Sequence, residues 1–305
     1  MQKNQKRRLQ RKRVVSFRKK LYSYEDMKKD IEELRRYYGS ILDVTVLDRT
    51  ADQRNIYCIR VGNPLAKCSF VLDVALHGRE WLNTQVFMRI LEDYCRLLSR
   101  KTYKGRQYRQ RLDKVCLYFL PMMNPDGVSI SQYGVSVIKD NRLRSALMGM
   151  PKENYYRWKA NGRGVDLNRN FSVGFCENDI KQPSAEGYGG ENPFSEAETK
   201  AVARLIQKVH PKAVIHYHES GPFIYYEKKS FVVKTISHIT HYPVKKEVKP
   251  APGCFSRWME EKGIAGCTVE TCRGTAPVPH WQMIPVYIRN RKILIKLIKK
   301  GCIMN

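Results

Sequence analysis

Ser69-Phe70-Val71-Leu72-Asp73-Val74-Ala75-Leu76-His77-Gly78-Arg79-Glu80 is the stretch on which the fold turns. From Ser69 to Ala75 it is almost continuously apolar, as a central strand covered on both faces must be. From Glu80 to Leu98 the apolar residues Val86, Ile90, Leu91, Tyr94 and Leu98 recur at helical spacing. A buried strand running into an amphipathic helix is the repeating unit of an α/β sandwich, whose functional loops sit at strand ends. His77 and Glu80 stand in that turn, three residues apart, where both side chains can reach one metal ion.

The same reading extends in both directions. Ser23 to Tyr38 is an amphipathic helix, with Ser23 and Asp26 as a capping pair and Gly39 as its stop. Strands follow near Val44–Leu47 and Ile56–Val61, and residues 99–112 form a basic connector. Val115–Met123 is a second buried strand, ending in the tight turn Asn124-Pro125-Asp126-Gly127. Residues 128–164 are expected as a long loop with short helical pieces, and Phe171–Pro193 as irregular. Helices are expected near Ser195–Val209, Cys254–Lys262 and Trp281–Lys300, the last packed on the sheet by its apolar face. Strands are expected at Ala213–His218, Phe223–Tyr226 and Gly266–Thr271. The expected fold is one α/β domain over residues 21–305, a mixed, mostly parallel twisted sheet flanked by helices.

The chain of 305 residues has 56 Lys and Arg against 29 Asp and Glu, a net charge of +27. In the first twenty residues ten cations, from Lys3 to Lys20, face no acid. Residues 1–20 are therefore expected as a flexible, solvated basic arm able to touch an anionic polymer or membrane surface. Elsewhere the charge is spread, which suits general attraction to anionic partners and no specific nucleic-acid groove. No apolar run is long enough to span a membrane, and the basic start is not followed by the apolar core of a secretory leader. Nine cysteines, an odd number without a CxxC pair, point to free thiols and a reducing cytoplasm. A monomer is expected.

Chemistry-bearing residues cluster at the strand ends. A distant strand carries His216 and His218 two apart, on one face, either able to complete a three-ligand site with a place open for water. Asp166-Leu167-Asn168-Arg169-Asn170 sets an arginine beside an asparagine, suited to gripping a carboxylate, and Asp166 can accept the second ring N–H of a ligating histidine. Glu270 ends an otherwise apolar strand, where partial burial makes a general base. Tyr155 to Arg163 supplies cations close to that clamp.

Together these segments resemble the M14 family of zinc metallocarboxypeptidases, the carboxypeptidase A-like proteins, over roughly residues 21–300. The family pattern is HxxE after a central strand, NPDG, DxNRN, a strand-end histidine and a glutamate near the C-terminus, and this chain has all five in order. The resemblance implies one Zn2+ per chain, held by His77, Glu80 and His216, with His218 as the alternative third ligand. It implies Glu270 as general base, Asn168 and Arg169 holding a terminal carboxylate, and Asp166 behind the first histidine. For the oxyanion it implies an arginine, Arg157 or alternatively Arg163. Gly253 to Trp258 matches the specificity-pocket wall, where Ser256 and Arg257 suit a side chain with a carboxylate or other polar end. Digestive members carry a mobile tyrosine just before this segment, and Lys245–Pro250 has none.

The wording from Arg157 to Phe171, with Tyr188-Gly189-Gly190 and Pro193-Phe194-Ser195-Glu196, is most similar to bacterial members, including γ-D-glutamyl-diaminopimelate peptidases that trim murein peptides. The expectation is a zinc metallopeptidase acting on a peptide with a free carboxylate, hydrolysing a C-terminal peptide or γ-D-glutamyl-diamino acid bond. The alternatives are a general metallocarboxypeptidase, a catalytically silent binding module on an anionic polymer, and a small-molecule amidohydrolase with the same zinc motif. The intact clamp and base favour the peptidase.

Overall fold

In the computed structural model, which describes residues 13–150 and 154–303, the apolar runs become strands of a single sheet. These are β1 (Leu42–Arg49), β2 (Asn55–Gly62), β3 (Cys68–Val74), β4 (Val115–Leu120), β5 (Ala213–His218), β6 (Phe223–Tyr226), β7 (Val244–Lys246) and β8 (Gly266–Glu270). Their order is β1-β2-β4-β3-β5-β8-β6-β7. The inner pairs β4–β3, β3–β5 and β5–β8 are parallel, while β1, β2 and β6 run antiparallel to their inner neighbours. The sheet is mixed and mostly parallel at its centre, as expected. Every residue of β3, β4 and β5 is buried, because helices cover both faces of the parallel centre.

Strand alternation divides the core in two. Phe70, Leu72 and Val74 point with Ile215 and Tyr217 toward α1 (Tyr24–Tyr38), α2 (Leu82–Leu98) and the C-terminal helices α9 (Met283–Asn290) and α10 (Ile293–Ile303). Val71 and Val214 face the opposite side, against α6 (Ala197–Val209) and α8 (Phe255–Glu261). A third apolar cluster, with the fully buried Trp158 and Ile130, supports the long segment after β4.

Helix α1 begins with the expected capping box between Ser23 and Asp26. The short edge strand β7 was not expected, and three helical regions also depart from the sequence reading. The connector holds α3 (Tyr103–Arg111), a helix with little apolar periodicity whose start is capped by Thr102. A helix α7 (Phe231–Thr240) lies where none was expected. The single closing helix is two helices, α9 and α10, broken at Arg291 and Lys292.

Part of the expected basic arm, residues 13–20, is not free. Residues 1–12 lie outside the described residues, but 13–20 are docked on α2. The Glu92 carboxylate accepts the backbone N–H groups of both Val14 and Val15, each at 3.1 Å. Arg89 and Gln85 donate to the carbonyls of Val15 and Ser16, and Val15 is fully buried. All nine cysteines are free thiols.

Candidate active site

The turn after β3 is shaped by backbone geometry. Ala75 adopts a left-handed conformation (φ 56°), which swings the chain off the sheet and carries His77 over its edge. Gly78 then lies against the backbone of Gly127; a β-carbon there would stand 2.5 Å from the Gly127 carbonyl oxygen. Asn124-Pro125-Asp126-Gly127 is more than a tight turn, because it opens α4 (Pro125–Tyr133) and props the metal-ligand loop. Asn124 accepts from the Gly127 N–H at 2.8 Å and donates to the carbonyls of Leu76 and Ala160, both at 3.1 Å. Asp126 is buried and accepts from Thr50, the Asp52 N–H and Arg54.

Above this support His77, Glu80 and His218 converge. His77 Nδ1 is 2.8 Å from one Glu80 oxygen and His218 Nδ1 is 2.6 Å from the other. Their ligand atoms all lie within 4.8 Å of one another, and all three residues are buried. Two imidazole nitrogens and a carboxylate are the donor set of a three-ligand zinc site with a fourth position left for water, so the residues fit that ion. Burial opposes ionisation of Glu80, yet the two flanking rings hold its carboxyl well below the usual carboxylate range. Burial in turn pushes His218 down to about 3, leaving a neutral ring with a lone pair to offer.

The expected third histidine, His216, is not in this group. Both histidines of β5 point to one face, but β5 pairs in register with β3 so that His216 falls opposite Asp73. Its Nδ1 bonds Asp73 Oδ1, while His218, at the strand end, is the one that reaches the loop. The choice between them depends on which strand lies alongside, which spacing alone does not encode.

Asp166 lies near His77, its Oδ1 3.6 Å from Nε2, an ion-pair distance longer than the expected hydrogen bond. Its other oxygen pairs with Lys159 Nζ at 3.1 Å, and Lys159 also reaches Glu186 at 3.0 Å. Burial alone would raise the Asp166 pKa, but Lys159 and His77 hold it well below its ordinary value. Arg157 and Arg163, the expected cations, are both exposed. The buried cation whose field reaches His77 and Glu270 is Lys159. It follows the core residue Trp158 within the Tyr155–Arg163 segment, so its place beside a buried tryptophan is the signal that the sequence carries.

Glu270 ends β8 beside His218, its register partner on β5. Its carboxylate accepts from the Ser220 N–H, and burial, helped by the charge of Glu80, pushes its pKa up to about 8. A divalent cation among the three ligands would pull that value down. Asn168 and Arg169 lie half-buried next to Asp166. Asn168 Oδ1 accepts from the Phe255 N–H at 2.9 Å, and Gly253 (φ 63°) packs so closely that a β-carbon would sit 2.1 Å from the Arg169 carbonyl. The clamp is thereby locked to the start of α8.

Beyond it opens a cavity of about 360 Å³, lined by Glu227, Glu247, Ser256, Glu260 and Thr268. Arg169 is close enough to Glu247 to act on its ionisation. Burial, with Glu260 beside it, pushes Glu227 up to about 8. Lys228 and Lys229 stand at the exposed rim. Ser256 lines this cavity, whereas Arg257 is not among its lining residues. Its guanidinium is turned away from the cavity onto Glu177, at 3.0 and 3.1 Å.

This geometry can be set against known proteins. A γ-D-glutamyl-L-diamino acid endopeptidase from Lysinibacillus sphaericus is 26% identical over 277 residues, covering 87% of this chain and 69% of the relative. Carboxypeptidase B from Rattus norvegicus is 26% identical over 270 residues, covering 80% and 61%. The crystal structure of thrombin-activatable fibrinolysis inhibitor shares the fold with a TM-score of 0.73 at 19% identity, over 95% of this chain and 77% of that one. The model of the peptidase M14 family, zinc carboxypeptidase, matches residues 27–279. The chain belongs to that family of peptidases.

Proposed function

We propose that this protein is a zinc-dependent peptidase that releases a residue bearing both a free α-carboxylate and a positively charged side chain. One observation carries the substrate half of the reading: the acidic side chains Glu227, Glu247 and Glu260 line one cavity in a chain of net charge +27, and a cation entering it would draw Glu227, held toward its neutral form by burial, into the charged one. Acids are scarce in this chain, and three of them around one space suit an ammonium or guanidinium group. A diamino acid meets both demands, as does an ordinary C-terminal lysine or arginine. The name of one relative, a γ-D-glutamyl-L-diamino acid endopeptidase, points the same way. The alternative preference, a side chain with a carboxylate or other polar end beside Ser256 and Arg257, gains no support from the Arg257 guanidinium, which pairs with Glu177.

In this reading His77, Glu80 and His218 hold zinc, which when bound polarises the scissile carbonyl and acidifies a water. Asn168 and Arg169 hold the substrate's carboxylate and so set the bond's distance from Glu270. Glu270 takes the proton of the attacking water on its carboxylate and passes it to the leaving nitrogen. Lys159, balanced by Asp166, supplies the positive field for charge developing on the carbonyl oxygen. Asp166 keeps the His77 ring oriented.

The test is a mass-spectrometric cleavage assay on zinc-loaded protein, with Glu270→Gln as the control. Its panel pairs γ-D-glutamyl-diaminopimelate peptides with ordinary peptides ending in basic, acidic, aromatic and aliphatic residues. Faster release of diamino or basic residues is expected. Equal or faster release of acidic ones would overturn the pocket assignment, and no cleavage by any arm would overturn the peptidase reading.

A further inference from the structure

The closing helices bury one side and leave the other bare. Met283, Val286 and Asn290 of α9 are packed inward, whereas Trp281, Ile284 and Ile288 are 67%, 48% and 53% exposed. Ile284 and Ile288 are four residues apart, and Trp281 stands three before Ile284, so the three line one flank. The exposed Arg291 and Lys292 close that flank at the break between α9 and α10. From residue 271 to 305 the sequence contains seven Lys and Arg and no acid.

A second basic element meets this flank. Phe17, in the docked N-terminal segment, packs edge-on against Tyr287 at 5.2 Å, with Arg89 over its ring at 5.0 Å. The exposed Arg18 and Lys20 follow directly. Asp93, the acid that the Tyr287 hydroxyl meets, is also paired with Arg13.

Large apolar groups edged by cations, without anions, match the chemistry of an anionic lipid surface: apolar chains below, phosphate above. Tryptophan suits the boundary because it is apolar with a polar edge. No described helix is long and apolar enough to cross a membrane, so the contact lies along the surface. Pairing with a second copy about a two-fold axis would set Arg291 and Lys292 among their like charges. We propose that the outward flank of α9, with Trp281, Ile284 and Ile288 inserted and Arg291 and Lys292 at the headgroups, seats this protein on anionic lipid surfaces.

Trp281 makes the idea readable, since Trp81, Trp158 and Trp258 are 6%, 0% and 1% exposed. The full chain is mixed with vesicles of phosphatidylcholine, or of equal parts phosphatidylcholine and phosphatidylglycerol. With the anionic vesicles alone, a blue shift of tryptophan emission and quenching by brominated lipid are expected, both lost in Trp281→Phe. Ile284→Ser with Ile288→Ser should weaken co-sedimentation by about tenfold or more, and Arg291→Glu with Lys292→Glu by a similar factor. These positions are exposed, and an unchanged unfolding transition confirms that each variant is folded. Binding that survives loss of both isoleucines would overturn the proposal in favour of plain charge attraction. A dimer in light scattering that the isoleucine variant abolishes would overturn it in favour of a contact between copies, and failure to bind would overturn it outright.

Discussion

The Nε2 atoms of His216 and His218 lie 2.5 Å apart on β5. A carboxylate can only accept, so the Asp73 bond fixes the proton of His216 on Nδ1 and leaves its Nε2 as an acceptor. The second ring nitrogen of His216 faces His218, whose Nδ1 in turn faces Glu80. The two histidines thus have different surroundings: His218 stands with His77 and Glu80, a group able to hold a metal ion, and His216 stands against Asp73.

That division predicts separable effects on metal content. His218→Ala should lose stoichiometric zinc after dialysis, measured by plasma mass spectrometry. His216→Ala should retain it with affinity lower by about 10- to 100-fold, as for other groups that orient a metal ligand. Metal lost only in the His216 variant would exchange the roles.

Glu270→Gln should bind zinc normally and lose turnover by about 10² to 10⁴, the usual share of a general base. The same residue predicts a stability profile without metal. Its carboxyl is raised from 4.5 to about 8 in the folded protein. The folded state therefore prefers the protonated form, a stabilisation present in full below pH 4.5 and lost as pH rises toward 8. Thermal scans of the zinc-free protein should show a decline across this window that Glu270→Gln reduces and added zinc offsets. A decline of the same size in the variant would place its source elsewhere.

The acidic cavity predicts a change of preference without a loss of chemistry. Glu227→Gln with Glu247→Gln should lower kcat/KM for a peptide ending in lysine or a diamino acid by about tenfold or more, the effect expected when a charged group loses its counter-charge. Peptides ending in leucine should be cut as before or faster. An equal drop for both would mean that the pair supports the site's structure and does not select substrate.

Glu92 predicts where the arm ends. Glu92→Ala removes the acceptor of two backbone N–H groups and should cost about 1–3 kcal/mol in a denaturation experiment. Deleting residues 1–12 should leave stability and peptide hydrolysis unchanged. Full stability in Glu92→Ala would show that the clasp contributes nothing.

The central strands, the helices with a clear apolar stripe, and the motif loops at the strand ends were legible in the residues alone. Ala213–His218 and Phe223–Tyr226 are strands over the expected residues, and His77, Glu80, Asp166 and Glu270 stand at one edge of the sheet. These features are local: period-two and period-3.6 burial and turn chemistry leave their mark within a few residues. What crosses between distant segments was left to the tertiary structure. Only the β3–β5 register assigns His216 to Asp73 and His218 to the loop. Whether Arg257 faces a pocket depends on Glu177, eighty residues away, and the acidity of that cavity depends on Glu227, Glu247 and Glu260 meeting around Ser256. Residues 13–20 read as a solvated basic tail until Glu92 of α2 supplies the acceptor for their backbone. Charge and periodicity describe what a segment can do, and the partner that packing brings decides which of those things it does.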